Sequence, residues 1–485
     1  MPLRPGLSKS VRRMVQYRYM MRQKRIPMLV VAVALLSATA SVLPLQRAQA
    51  GDWLADGETG CQVWRSDPQD EESVVWTGPC VDGRAEGTGT LDVLVAGKLQ
   101  SRYEGAYLGG QRNGFGVIVF SSGVRYEGGF KDDLYDGQGA WSNTQGERYQ
   151  GDFLAGRFHG KGLWFSAKGD RYEGDFVEDK MDGYGLWTAF NGNHYEGQWK
   201  EGRQNGQGVW TAPDGSRYEG SFKDGKFDGK GSLVYGIGTD LKGAKYEGDF
   251  TADKFNGEGR FTGPRGDVYE GTYVMGKRDG KGVQTWPNGV RYEGEFANDL
   301  RHGQGVLDWP NGDHYAGSFV NGKRSGVGVY VTAEGHRYEG EFVDNVRSGK
   351  GILTWANGDS FEGDWKNGVQ DGTGVFNWAN GDSYKGGFRN NLRHGPGTFT
   401  WANGNKYAGN WVDGLQQGKG IFVWANGDRY EGDFVADRRT GNGVFIWADG
   451  ERYEGGFQDG ELAGDGVVTR VDGQSFSTLD GAAVN

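Results

Sequence analysis

Six histidines, two cysteines, a recurrent Gly-x-Gly and many carboxylates are the residues of this chain that could do chemistry. His159, His302 and His394 hold one place in a repeating pattern, His194 and His314 hold another, and His336 lies just outside it. A metal centre needs several ligands converging on one point. Histidines scattered over distant copies do not supply that, and His302 and His314, close in sequence, lack further soft ligands. Gly160-Lys161-Gly162 and Gly229-Lys230-Gly231 would cradle phosphate only with a helix behind them and a full fingerprint around them, and both are missing. The recurrent acids (Glu104, Glu127, Glu173) fall in no EF-hand loop or glycine-rich calcium repeat. No nucleophile stands beside a base. The expectation is therefore no catalytic residue, no cofactor, no metal site and no enzyme.

The glycines make sense in the elements that carry them. Tyr430-Glu431-Gly432-Asp433-Phe434 runs on to Gly441, Gly443 and Trp447, and Tyr126, Gly128, Phe130, Gly137 and Gly139 repeat it. Sixteen copies begin between Tyr103 and Tyr453, 23 residues apart except for one step of 28, from Tyr218 to Tyr246. A fixed period of this length signals a repeat architecture. Tyr430, Gly432 and Phe434 alternate with Glu431 and Asp433, which predicts a strand with one aromatic and one acidic face. Gly441, Gly443, Phe445 and Trp447 share a parity, which predicts a second strand. A polar turn such as Asp224-Gly225 separates the two, and Asn426-Gly427 is a hairpin signal after the second. Glycine leaves a hollow in the pleat where a neighbouring ring can lie, so the rings are expected to be buried. Arg before the Tyr and Glu after it (Arg125, Glu127) predict charge pairing across strands. Lys385 and Ala408 replace that Glu in adjacent copies, making residues 380–410 a less acidic candidate contact surface.

Tyr-x-Gly-x-aromatic followed by Gly-x-Gly resembles the signature of the MORN (membrane occupation and recognition nexus) repeat family, from residue 103 to about 475. The resemblance implies an all-β fold, an elongated, twisted antiparallel sheet of tandem hairpins. It also implies binding to protein or phospholipid, with no chemistry of the repeat's own.

Charge and the ends of the chain complete the reading. Residues 1–50 hold nine Lys or Arg and no acid, and the remainder carries 45 bases against 64 acids, a net charge of −19. Such a body does not suit nucleic acid; it suits a protein partner, a basic one above all, or a second copy of itself. Residues 1–50 read as an export signal: Arg22, Lys24 and Arg25, an apolar run over 26–42, and Ala48-Gln49-Ala50 before Gly51, with cleavage between Ala50 and Gly51. Translation from Met1 gives a long leader, from Met20 or Met21 an ordinary one. Export to the periplasm or the exterior is the expectation, and an inner-membrane anchor over 26–42 is the alternative. Residues 51–102 predict a degenerate cap repeat built on Trp76, with Cys61 and Cys80 bridged across a hairpin centred near Asp70 and Glu71. Repeats then fill 103–235, an insertion spans 236–245, repeats fill 246–470 and a worn tail spans 471–485. Scaffold, lipid-associating and glycan-binding functions remain open at this point, the last requiring solvent-facing rings.

Overall fold

A computed structural model describes residues 51–479 and the backbone of 482–483; the export signal and the cleavage point at Ala50 lie outside the described residues or at their edge. The described secondary structure is all strand. Among the described residues it divides into two compact units, 51–213 with Arg217–Gly231 and Phe250–Lys254, and Asp214–Ser216 with Ser232–Asp249 and the described residues from Phe255 onward.

In the first unit β1 (Asp52–Ala55), β2 (Gln62–Arg65), β4 (Cys80–Val81) and β5 (Arg84–Ala85) make a small sheet in the order β1-β2-β5-β4, β2 and β5 running parallel. β3 (Glu72–Trp76) pairs instead with β6 (Gly87–Val95) and opens the antiparallel meander through β7 (Lys98–Leu108), β8 (Gln111–Phe120), β9 (Arg125–Lys131) and β10 (Leu134–Ser142). Cys61 and Cys80 form a disulfide with Cα atoms 5.8 Å apart. The expected bridge is therefore present, but no hairpin at Asp70–Glu71 makes it. The small sheet brings the cysteines together, because β3 leaves to start the meander.

The second unit shows the repeat most plainly. Arg429–Val435 and Arg438–Ile446 pair with Tyr430 opposite Phe445 and Gly432 opposite Gly443, and the second strand pairs on with Arg452–Gln458. Strands of seven and nine residues alternate. Ala436 and Asp437 both have positive φ (49° and 68°), a two-residue turn whose twist suits the flanking strands. The Asn-Gly end proves to be the longer connection: five residues, Trp447–Glu451, closed by Trp447 N–H to Glu451 O at 2.9 Å. Trp447 thus stands in that turn rather than in the strand. Within the expected tail Ser475–Leu479 pairs with Glu461–Thr469 and Ala482–Ala483 pairs back onto it.

Neighbouring copies are locked at both ends. Gln416 N–H donates to Asp437 Oδ1 at 2.7 Å, and Asp437 N–H donates back to Gln416 O. At the other end Ala448 N–H donates to Asp428 Oδ1 and Ala425 N–H to Asn405 Oδ1, both at 2.9 Å. These bonds satisfy turn amides that no strand ladder reaches. The five-residue insertion loops out as a longer turn, with Tyr235 N–H donating to Ala244 O and Ile237 exposed.

Candidate functional site: the aromatic face and the hairpin tips

Each repeat begins with a ring laid flat on glycine, a tyrosine in every copy but the one that opens at Phe361. A Cβ on Gly443 would come within 2.5 Å of the Tyr430 ring, and the phenol donates to Asp433 O at 3.1 Å. Tyr126 stands likewise over Gly139 and donates to Gly129 O at 2.8 Å. Gly128 and Gly432 have no room for a side chain because the glycine backbones opposite (Gly139, Gly443) approach them. The remaining glycines, Gly137 and Gly441, act differently from expectation: with φ of 82° and 60° they sit where the second strand bulges. Edge-on rings close the tyrosine's sides, Phe434 at 5.2 Å and Phe457 of the next copy at 4.7 Å for Tyr430, and Phe130 at 5.2 Å and Phe153 at 4.9 Å for Tyr126. Burial of each such ring contributes on the order of 2 kcal/mol, and it pushes the Tyr430 phenol up to about 12. Gly160-Lys161-Gly162 is part of this packing, in a strand with Tyr149 over Gly162, not a phosphate loop.

The cap is built in the same way. Trp76 fills the tyrosine's place, Gly78 and Gly89 lie against its ring, and its indole N–H donates to Pro79 O at 2.9 Å.

What covers the outer side of each tyrosine changes along the chain. Tyr135 stacks on Tyr126 at 3.8 Å and Phe158 on Tyr149 at 3.8 Å. In the second unit arginine takes over: Arg278, Arg301, Arg324, Arg347, Arg393 and Arg439 each lie over the corresponding tyrosine at 5.4–5.8 Å. Arg278 is paired with Asp299 at 3.3 Å, as Arg112 is with Asp133 at 3.0 Å in the first unit. The other five donate instead to the carbonyls of Gly322, Asn345, Gly368, Gly414 and Gly460. Among the described residues none of these five has a carboxylate at ion-pair distance. Burial pulls the pKa of all five down from the ordinary guanidinium range. Nothing in a single repeat signals this row; it follows from comparing the turn residue of the next copy, Asp where the arginine is paired and Gly or Asn where it is not.

Beside the arginines runs a ladder of rings, half-buried except for the buried Phe399. Trp355, Phe376, Trp378, Phe399, Trp401, Phe422, Trp424, Phe445 and Trp447 follow one another with centroids 4.3–5.4 Å apart. A groove of about 590 Å³ opens against this ladder between Arg393 and Arg439. The opposite face differs from expectation. Its Arg and Glu pair along one strand (Arg429–Glu431 at 2.5 Å, Arg217–Glu219 at 2.7 Å), because the residues facing that Glu across the ladder are aliphatic, Val444 and Ile421. Cross-strand pairing is made by lysine, as in Lys419–Asp433 at 2.8 Å, and in the first copy by the Arg before the Tyr, Arg102 with Asp92 at 2.6 Å. At the hairpin tips of this face Leu108, Leu134, Leu154 and Val177 in the first unit, and Val320, Val343, Val346, Val412, Leu415 and Val435 in the second, are 36–59 % exposed.

The histidines do not converge: His314 Nδ1 is 2.7 Å from Asp308, His194 bonds Thr188, and His336 accepts from Ala356 N–H. Among the described residues no three His, Cys, Asp or Glu gather as a metal ion would require. No helix there is long and apolar enough to cross a membrane.

The MORN repeat family model matches sixteen consecutive segments, from 103–125 to 453–475, well over half of the chain. The chain belongs to the MORN repeat family. MORN arrays of this kind act as protein-interaction or membrane-associated modules. No curated protein matches. Among solved structures, the TCP domain of Drosophila melanogaster SAS-4, in complex with a proline-rich motif of Ana2, is 14% identical over 41% of this MORN chain and 90% of its own, with a TM-score of 0.21. The TCP10 domain of Danio rerio CPAP, as the E1021V mutant, is 14% identical over 50% and 94%, with a TM-score of 0.16. A streptogramin B lyase, 13% identical over 64% and 86%, has a TM-score of 0.11. Likenesses this weak have no bearing on function.

Proposed function

We propose that this MORN protein is a non-enzymatic scaffold of the cell envelope that docks a protein partner, or a second copy of itself, along its hairpin tips. The observation that carries this reading is the line of exposed aliphatic side chains at those tips. Val343 faces Val346 and Val412 faces Leu415 across the two-residue turns, and between them Val369 and Leu392 continue the line, each facing a base, Lys366 and Arg389. Contiguous exposed apolar surface marks interaction sites, and the paired charges beside it supply a polar rim. Export follows from the leader: a mature chain beginning at Gly51 would meet its partner outside the cytoplasm, where the Cys61–Cys80 bridge persists.

Val412→Lys with Leu415→Lys tests the docking. Lysine already stands at the position of Val412 in Lys131, Lys200, Lys223 and Lys366, and at that of Leu415 in Lys180, Lys226, Lys277 and Lys323, so the fold accepts both. Cross-linking in the native envelope should recover a defined partner or dimer with the wild type and lose it with the variant. Equal recovery from both would overturn the assignment. Flotation with neutral and anionic vesicles, abolished by the same variant, would replace the protein partner with a lipid surface. N-terminal sequencing of the chain from cells tests export, and retention of residues 26–42 would put the anchor in its place.

A further inference from the structure

On the opposite face from the aliphatic tips, the aromatic face between residues 384 and 475 carries cations without partners in a chain that is otherwise acidic. Arg393 and Arg439 lie over Trp411 at 4.2 Å and Trp424 at 5.2 Å, half-buried, each donating only to a turn carbonyl. Taking a cation partly out of water is costly unless an anion meets it. In two other copies the protein meets that need itself, with Asp133 for Arg112 and Asp299 for Arg278. Here the equivalent residues are Gly414 and Gly460, and Gly460 lines the groove of about 590 Å³ together with both arginines. Local sequence agrees: residues 380–410 hold four Lys or Arg against one acid, Asp382.

The groove runs across the strands. Their N–H and C=O groups are consumed in the ladders on either side, so main-chain pairing is not available to a ligand. The groove offers guanidinium donors and ring surfaces from Trp401 and Trp424. Its acids are already engaged, Asp437 by Gln416 N–H and Asp459 by Arg438 at 2.8 Å. The cations call for repeated carboxylates and the ring faces beside them for flat C–H surfaces, and a chain of sugar acids carries both on every ring, whereas an acidic polypeptide carries only the first. Two strands per copy space equivalent tryptophans about 10 Å apart, close to the length of a disaccharide unit, so sugar rings can meet successive tryptophans while their acid groups meet the arginines.

We propose that this groove binds a carboxylated polysaccharide lying across the strands, its carboxylates on Arg393 and Arg439 and its sugar rings against Trp401 and Trp424.

The test is affinity electrophoresis of the full chain in gels containing polygalacturonate, poly-glutamate or neutral dextran. Two variants are compared with the wild type. Arg393→Gln with Arg439→Gln removes the cations, and Gln370 and Gln416 already occupy that repeat position. Gly414→Asp with Gly460→Asp keeps the arginines but supplies each with the carboxylate that Asp299 gives Arg278. Residues 1–50 bind any polyanion through nine bases, so the readout is the difference between variant and wild type. Expected is retardation by polygalacturonate that each variant weakens by roughly tenfold or more, with no retardation by dextran. Wild-type mobility unchanged by polygalacturonate overturns the proposal, and so do variants retarded as strongly as the wild type. Variant-sensitive retardation that is stronger with poly-glutamate also overturns it, in favour of an acidic polypeptide. The aliphatic-tip variant should leave polygalacturonate binding intact, which separates failure here from failure of the docking reading.

Discussion

Tyr430 lies so close on Gly443 that a single added carbon would stand 2.5 Å from its ring. The contact recurs in copy after copy, so the array is a row of rings each held in a place only hydrogen can share.

Gly443→Ala should therefore cost about 2 kcal/mol through overpacking. Because stability in such arrays is local, amide exchange should quicken in residues 407–475 and change little in the first unit. Uniform exchange across the chain, or no change at all, would contradict that packing.

Asp437→Ala removes the lock on the preceding copy and leaves Gln416 N–H without its acceptor. A loss of about 1–3 kcal/mol is expected for the uncompensated buried donor. Thermal unfolding, together with the exchange rate of the Gln416 amide, measures it.

Cys61→Ser with Cys80→Ser should destabilise the cap by roughly 3 kcal/mol on the chain-entropy account. Reductant should lower the melting temperature of the wild type and leave the double variant unmoved.

Alkali should unfold the protein cooperatively. Burial pushes the phenols of Tyr292, Tyr338, Tyr384, Tyr407 and Tyr430 up to about 12, from 10. The native state thus holds these protons longer than the unfolded chain. Their stabilisation is complete below pH 10 and is lost as pH rises through about 12. Phenolate absorbance and circular dichroism should change together in that window. Gradual phenolate formation with the β signal intact would show that the rings are accessible.

Much of this was legible in the sequence because the period forces it. Tyr430, Gly443 and Phe434 imply a ring on a glycine whatever the register, and Cys61 and Cys80 pair as the only cysteines of the chain. The turns were harder. Asn426-Gly427 looks like the tight turn, yet Asp428 and Asn405 use their side chains to lock neighbouring copies, which needs a longer connection. The tight turn stands at Ala436-Asp437, a place held by Asp413-Gly414 and Asp459-Gly460 in the copies on either side, so a dipeptide signal of the same kind stands at both ends of the hairpin and does not rank them. Pairing of Arg429 with Glu431 along one strand was hidden because Val444 and Ile421, not a base, face that Glu. The arginine row was invisible in any one copy, since whether Arg393 has a partner is decided 21 residues later, at Gly414.

That distance has a consequence for how such a chain changes over generations. The lock joins positions 21 residues apart, as in Phe158 N–H to Asp179, and survives the insertion as Phe227 N–H to Asp253, 26 residues apart. Duplication or loss of a whole copy rejoins like to like, leaving every lock a correct match. Copy number is then a quantity that recombination can tune without inventing a contact. The molecule can lengthen or shorten its row of hairpin tips as a ruler gains or loses divisions, while each division keeps its own shape.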